Sequence, residues 1–272
     1  MKPTPIYSHR VSILTDLIST EVIRPPVVGW TTFGHPGATR LLSRSSESGR
    51  LAHAYLITGP NKVGKRTLAL DIACMVNSEA VVDMFGEAPN IDLNSSVQAG
   101  RIRKGIHSDV RVIDPNTESS KDKKKSSGSD DDSGERRSRM GIRIDHIKDL
   151  IEDSATTPFE GLKKVFIIDG ADLMNAEAAN ALLKTLEEPA DDVMLILLAP
   201  SVESIKQETV ISRCQTIDLR PVDIEVIEAE LIERFEVEES QARSLSRLSR
   251  GCPGWAIDAL NDSTIVDGHN QS

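Results

Sequence analysis

The residues most able to carry chemistry in this chain form a glycine-rich loop that runs from Gly59 to Thr67. Gly59, Gly64 and Lys65 stand at the spacing of G-x-x-x-x-G-K-[ST], in which backbone N–H groups surround a phosphate and the lysine reaches its outer oxygens. The next position normally supplies a hydroxyl to Mg²⁺, and here it holds Arg66. Thr67 comes one residue later, about 100° further round a helix, so we expect it to point elsewhere. The pattern predicts a phosphate site with impaired metal chemistry.

A carboxylate for the same site is expected at Asp169. The apolar run before it, Val165–Ile168, is typical of a buried parallel strand that delivers an acid to Mg²⁺. P-loop ATPases commonly need a further group that orients or deprotonates the attacking water, and the next residue here is Gly170. The two features together predict a nucleotide site that has lost its metal hydroxyl and its base. The alternative is that the loop is an ordinary strand-to-helix turn.

Composition limits the possible classes of protein. The chain has 272 residues, a net charge of −10, and 39% hydrophobic residues. No apolar run approaches the roughly 20 residues that cross a bilayer, and no signal-peptide core is present. Its cysteines, Cys74, Cys214 and Cys252, are scattered and odd in number, so we expect no disulfide framework and a cytoplasmic location. The acidic balance argues against tight autonomous binding to nucleic acid, but not against a role in a larger complex.

The order of predicted elements divides the chain into regions. Strands alternate with helices up to Leu219, which predicts an α/β fold with a doubly wound, mainly parallel sheet and ligands at the carboxyl ends of its strands. Beyond Pro221 the pattern is purely helical. We expect an extension (1–25), a nucleotide-binding domain (26–219), a small helical domain (220–260) and a disordered tail (261–272). Within the second region, 116–140 has alternating lysine and aspartate blocks and predicts a disordered insertion; a basic nucleic-acid finger is the weaker alternative.

Several motifs follow one another in a specific order. After the phosphate loop and the strand that ends at Asp169 come Asn180–Pro189 and the tripeptide Ser212-Arg213-Cys214, with further matches at 105–110 and 250–254. This order resembles the clamp-loader branch of the AAA+ ATPases, and within it most closely the delta-prime subunits of bacterial DNA polymerase III. The resemblance runs from about Val27 to Leu260. It implies an AAA+ P-loop domain, with a parallel sheet flanked by helices, followed by a small helical domain.

The resemblance implies a role for Arg213. In the family, Ser-Arg-Cys acts in trans, so Arg213 would reach into the ATP site of a neighbouring subunit. Such arginine fingers neutralise charge on the transferring phosphoryl group and raise rates by about 10³–10⁵. Arginine suits the task because it is always charged and presents a planar fork of donors. The alternative is a surface arginine after a strand. We interpret Cys214 as a small packing residue.

Other positions fit a subunit whose own site is silent. By resemblance, Ser201 lies near the polar residue that senses the γ-phosphate. Trp255 stands in the region where active loaders place an arginine over that phosphate, and we interpret it as a packing residue. ATP or ADP could bind weakly through Gly59–Lys65 and Asp169, without productive turnover.

Two departures from the family pattern change the expectations. Relatives commonly carry a four-cysteine zinc module before the 105–110 segment, but 77–105 here contains no cysteine, so we expect no zinc. Complete members also continue into a C-terminal helical collar, whereas this sequence stops soon after the small helical domain. Three explanations are open. The sequence is truncated, another gene supplies the collar, or the subunits assemble through the faces of their AAA+ domains alone.

The interpretation that these residues favour is a clamp-loader subunit of the delta-prime type. It would partner an ATPase subunit and a delta-type subunit, complete a neighbouring ATP site with Arg213, and help place the sliding clamp on primed DNA. One alternative is an active ATPase in which Thr67 or water replaces the metal ligand and Asp172 replaces the base. Others are an unrelated P-loop nucleotide kinase or repair ATPase, and a scaffold without a role at any ATP site. No membrane partner is expected.

Overall fold

The computed structural model describes residues 27–78, 90–93, 96–117 and 141–261. The predicted extension (1–25) and almost all of the predicted insertion (116–140) and tail (261–272) lie outside these residues. The strands are β1 Val27–Gly29, β2 Ala54–Thr58, β3 Asn90–Asp92, β4 Val110–Ile113, β5 Lys164–Asp169, β6 Val193–Ala199 and β7 Gln215–Asp218. The helices are α1 Pro36–Glu47, α2 Lys65–Asn77, α3 Val97–Arg103, α4 Ile144–Ser154, α5 Ala176–Glu187, α6 Glu208–Ile211, α7 Ile224–Phe235, α8 Glu239–Leu248 and α9 Pro253–Asn261. None of the described helices is both long and apolar enough to cross a membrane.

The main sheet has five strands in the order β4-β5-β6-β2-β7, and every pairing in it is parallel. The predicted α/β fold with a parallel sheet flanked by helices is confirmed. Because all the strands run the same way, their carboxyl ends meet at one edge, where ligands bind in such sheets. The short strands β1 and β3 form a separate parallel pair that the sequence analysis did not predict. Three residues are too few to show a period of two.

The core lies on both faces of the sheet because successive residues of a strand point to opposite sides. In β2, Tyr55 and Ile57 pack with α2 residues on one face, while Leu56 packs with Phe166 and Leu182 on the other. All five are buried. Because both faces of the sheet are buried, these strands consist of continuous runs of apolar residues. The buried strand β2 also anchors the loop that follows it.

The helices α7–α9 have a hydrophobic cluster of their own, which includes Ile227, Leu231 and Ala256. Trp255 is partly buried against this cluster, in keeping with its interpretation as a packing residue. These helices contact the phosphate loop at Lys62, whose carbonyl oxygen accepts a hydrogen bond from the backbone N–H of Gly254 at 2.8 Å. The last helix, α9, therefore starts directly beside the loop.

Candidate functional site

The phosphate loop joins β2 to α2 at the carboxyl edge of the sheet, where the sequence predicts it. Gly59 has φ of 143° and Gly64 has φ of 115°, a region that side chains rarely enter. A Cβ at Gly59 would also collide with the carbonyl oxygen of Leu219. The two glycines are therefore required by backbone geometry, and they let the loop turn tightly into the N-terminus of α2.

Lys65 lies folded over its own loop. Its Nζ donates to the carbonyl oxygens of Gly59 at 2.6 Å and Pro60 at 2.9 Å. Burial lowers the pKa of Lys65, and the nearby carboxylates of Asp169 and Asp172 oppose that shift. The ammonium group is thus held at the loop, from which it can turn to an incoming phosphate.

Arg66 pairs with carboxylates at the ends of two neighbouring strands. Its Nη1 lies 3.2 Å from Oδ2 of Asp169 and 3.9 Å from Oδ2 of Asp114. Asp169 ends β5, and Asp114 directly follows β4. The sequence analysis missed Asp114, although it follows a strand just as Asp169 ends one. A guanidinium group therefore stands beside the carboxylate that would serve a metal ion.

These residues do not fit the Mg²⁺ site of a P-loop ATPase. Arg66 supplies no hydroxyl, and it already neutralises Asp169. Thr67, the nearest hydroxyl in sequence, instead lines a cavity on the side of the loop that faces the C-terminal helices. Among the residues described, no cluster of three or more histidine, cysteine, aspartate or glutamate side chains could hold a metal ion.

A cavity of about 470 Å³ lies between the phosphate loop and the C-terminal helices. Gly64 and Thr67 belong to its wall on the loop side, and Phe33, Arg234 and Ile257 belong to the rest. The guanidinium carbon of Arg234 is 5.5 Å from the centre of the Phe33 ring. The volume falls in the range of about 300–1,000 Å³ that is usual for small-molecule pockets. Sequence reasoning did not find this pocket, because its lining comes from distant parts of the chain.

Asp71 holds one wall of that cavity in place. Its buried carboxylate accepts backbone N–H groups from Thr31 at 3.1 Å and Thr32 at 2.8 Å. It also pairs with Nη2 of Arg103 at 2.6 Å. A buried charge needs such partners, since an unpaired carboxylate would be costly to desolvate. Asp71 is a positioning residue that the sequence analysis missed.

Ser201 follows β6 at the same edge of the sheet, two residues after Ala199. The carbonyl oxygen of Pro200, which lies between them, accepts a hydrogen bond from the backbone N–H of Gly59 at 3.1 Å. This segment therefore contacts the phosphate loop. Hydrogen bonds from the backbone N–H of Glu203 and from the hydroxyl of Ser201 lower the pKa of the Glu203 carboxyl. The proposed contact of Ser201 with a phosphate stays a prediction.

Arg213 lies between α6 and β7, and its side chain is 32% exposed. Its Nη2 is 2.6 Å from Oε1 of Glu187, the last residue of α5, and its Nη1 donates to the carbonyl oxygen of Thr209 at 2.8 Å. The contacts described for Arg213 therefore do not include its own phosphate loop. The adjacent Cys214 packs against the core, and burial raises the pKa of its thiol to about 12. An inert thiol agrees with a packing role.

The chain is similar to solved and curated proteins of DNA metabolism. The Holliday junction branch migration motor RuvB of Thermotoga maritima shares the fold, with a TM-score of 0.50 and 15% identity over 86% of this chain and 64% of that one. The DNA polymerase III subunit delta' of Bacillus subtilis (strain 168) is 33% identical over 79% of this chain and 56% of its own length. The delta' subunit of Pseudomonas aeruginosa is 31% identical over 86% of this chain and 58% of its own. This chain thus spans little more than half the length of these two relatives.

Subunits of a second type are also similar. The DNA polymerase III subunit tau of Escherichia coli (strain K12) is 27% identical over 85% of this chain, and the match spans 32% of tau. The family model described as "DNA polymerase III, delta subunit" matches residues 34–223, which is more than half of the chain and includes the phosphate loop, Asp169 and Arg213. The chain therefore belongs to the DNA polymerase III delta-subunit family, and its relatives include delta' subunits of DNA polymerase III.

Proposed function

We propose that this chain is a delta-prime-type subunit of a clamp loader and acts by placing Arg213 in the ATP site of a neighbouring ATPase subunit. The observation that carries the proposal is the position of Arg213. Arg213 follows the short helix α6, in which Val210 is buried, so the backbone at Arg213 is anchored. The guanidinium group of Arg213 is partly exposed to solvent. An anchored, exposed arginine suits action on another chain.

The ion pair with Glu187 does not oppose this role. Both side chains are partly exposed, 32% for Arg213 and 49% for Glu187. Exposed ion pairs contribute only about 0–1 kcal/mol, because water screens them and ordering two long side chains costs entropy. A phosphate, which offers more negative charge, can displace Glu187 when the neighbouring site forms. In the isolated chain, the side chain of Arg213 would thus stay paired with Glu187 of α5.

The chain's own site supports a subunit that does not hydrolyse ATP. Arg66 stands where a metal hydroxyl is needed, Thr67 faces the cavity, and Gly170 replaces the base. ATP or ADP would bind weakly and without turnover. No contact in the described structure favours the alternative of an active ATPase. The partners on this proposal are an ATPase subunit and a delta-type subunit, and the loader acts on the sliding clamp and primed DNA.

The proposal is tested in a loader reconstituted from its other subunits. We expect wild-type protein to raise DNA-stimulated ATP hydrolysis, and Arg213→Ala to bind the other subunits equally well but to lower turnover by at least about 10³-fold at the site it completes. Arg220→Ala is the matched control, because Arg220 is an exposed arginine (88%) nearby in sequence and should leave turnover unchanged.

Two outcomes would contradict the proposal. Equal turnover with wild type and Arg213→Ala would show that Arg213 is not catalytic. Turnover by the isolated chain that is abolished in Lys65→Ala would instead support the active ATPase. Subunit binding, measured by analytical ultracentrifugation in the same samples, separates failure to assemble from failure to catalyse.

A further inference from the structure

We propose that Arg66 takes the place of Mg²⁺ in this chain, so that its own phosphate loop binds a nucleoside diphosphate without a metal ion. The inference builds on the weak nucleotide site proposed above and is independent of any action of Arg213 on a neighbour. It concerns a ligand that stays bound, and it requires no reaction.

The first support is the position of the guanidinium group. Arg66 stands in the first turn of α2, immediately after Lys65, and its Nη1 reaches the carboxylates of Asp169 and Asp114 at 3.2 and 3.9 Å. These carboxylates end adjacent parallel strands, beside the N-terminus of the helix that receives a phosphate. A positive charge therefore already lies where a bound metal ion would bring one.

The second support is the set of donors that remains. Neither of these ion pairs uses Nε or Nη2 of Arg66. A guanidinium group carries five N–H donors in a plane, a geometry that matches the oxygens of a phosphate. Arg66 can thus hold Asp169 with one nitrogen and face a ligand phosphate with others. A metal ion does the same when it joins a protein carboxylate to a phosphate.

The third support is that the residues present disfavour the metal itself. Mg²⁺ requires a near-octahedral set of oxygens at about 2.0–2.1 Å. The hydroxyl that would supply one is absent, and an approaching cation would meet the positive charge of Arg66 next to Asp169. Two like charges at such a distance repel. Arginine and metal are therefore alternatives at this position.

The cavity and the local charge identify the chemical class of ligand. The cavity shares Gly64 and Thr67 with the loop, and its apolar walls at Phe33, Val63 and Ile257 suit a nucleobase. Lys65 and Arg66 already face three carboxylates, those of Asp114, Asp169 and Asp172, so they leave no excess positive charge for a ligand. A triphosphate without magnesium would bring one more uncompensated negative charge than a diphosphate. A nucleoside diphosphate such as ADP is therefore the favoured ligand.

The test is calorimetric titration of the full chain with ADP, once in EDTA and once in MgCl₂. We expect the apparent Kd of wild type to be no tighter in MgCl₂ than in EDTA, since no metal takes part in binding and Mg²⁺ in solution itself binds part of the ADP. Arg66→Ser restores the hydroxyl of the usual pattern, and its Kd should tighten at least about tenfold when MgCl₂ is added. Arg44→Ser, at an exposed position of α1, is the charge-matched control and should behave as wild type.

Three results would overturn the inference. They are no ADP binding by wild type in either buffer, a wild-type Kd that tightens tenfold with MgCl₂, and unchanged binding by Lys65→Ala, which would place the ligand elsewhere. Thermal unfolding of each variant without ligand shows whether it is folded. Each of these results leaves the Arg213 assay untouched, so the two proposals can fail separately.

Discussion

At the scale of single residues, the two proposals rest on two arginines, and both are paired with carboxylates. Arg66 is paired with Asp169 beside the phosphate loop, and Arg213 is paired with Glu187 away from that loop; both pairs are partly exposed. The two pairs differ in consequence. The first lies at the proposed nucleotide site, whereas the second would have to open for the proposed action of Arg213 on a neighbour.

We predict that Glu187→Gln raises the ATPase activity of the reconstituted loader by up to about fivefold. An exposed ion pair of at most about 1 kcal/mol no longer has to be broken, and that energy corresponds to such a factor. The measurement is DNA-stimulated turnover, with Glu188→Gln as the control because Glu188 is the adjacent exposed carboxylate. A fall in turnover would mean that Glu187 positions Arg213 for catalysis.

At the scale of elements, buried polar side chains hold loops at the edges of the sheet. Asp109 stands just before β4, and its carboxylate accepts the backbone N–H groups of Phe159, Glu160 and Gly161, each at 2.8 Å. Burial by itself would raise the pKa of Asp109. The three hydrogen bonds outweigh it, and the pKa is lowered overall. The charged form of Asp109 therefore stabilises the loop that leads into β5.

We predict that Asp109→Asn lowers the free energy of unfolding by about 2 kcal/mol at pH 7, because an amide replaces a charged acceptor of hydrogen bonds. The pKa is lower in the folded chain than in the unfolded one, so this stabilisation is complete above the ordinary aspartate pKa of about 3.9 and is lost as the pH falls through the folded value. Urea unfolding of both proteins at several pH values measures the difference. A difference that stayed constant below pH 4 would contradict the assignment to Asp109.

At the scale of the whole molecule, the sheet core and the C-terminal helices meet at the phosphate loop. Lys62 forms an ion pair with Asp258, and its carbonyl oxygen accepts the N–H of Gly254 at 2.8 Å. The loop that would hold a phosphate is thus also the joint between the two hydrophobic cores.

We predict that Gly254→Ala destabilises the protein by about 1–3 kcal/mol, because the new Cβ would lie 2.8 Å from the carbonyl oxygen of Lys62 and force the joint apart. Gly37→Ala in α1 is the matched control. Nothing lies within 4 Å of its Cβ, so it should be neutral or stabilising by up to about 1 kcal/mol. Urea unfolding compares the two, and equal midpoints would disprove the close contact.

Much of the framework could be predicted from local patterns. The strand before Gly59, the helix that begins at Lys65 and the strand that ends at Asp169 all lie where spacing and apolar runs predict them. Such signals extend over a few neighbouring residues and reflect backbone preferences and burial on both faces. The pairing of all main-sheet strands as parallel follows from the alternation of strands and helices.

The sequence by itself determined the fold class, the phosphate loop and the absence of a metal hydroxyl at residue 66. Only the tertiary structure decided which groups meet. Asp71 holds Thr31 across a separation of 40 residues, Arg66 reaches Asp169 across 103, and Arg213 meets Glu187 across 26. A backbone pattern depends on neighbours along the chain, so it can be predicted from the sequence. The partner of a side chain is set by how elements pack, and no local spacing encodes that packing.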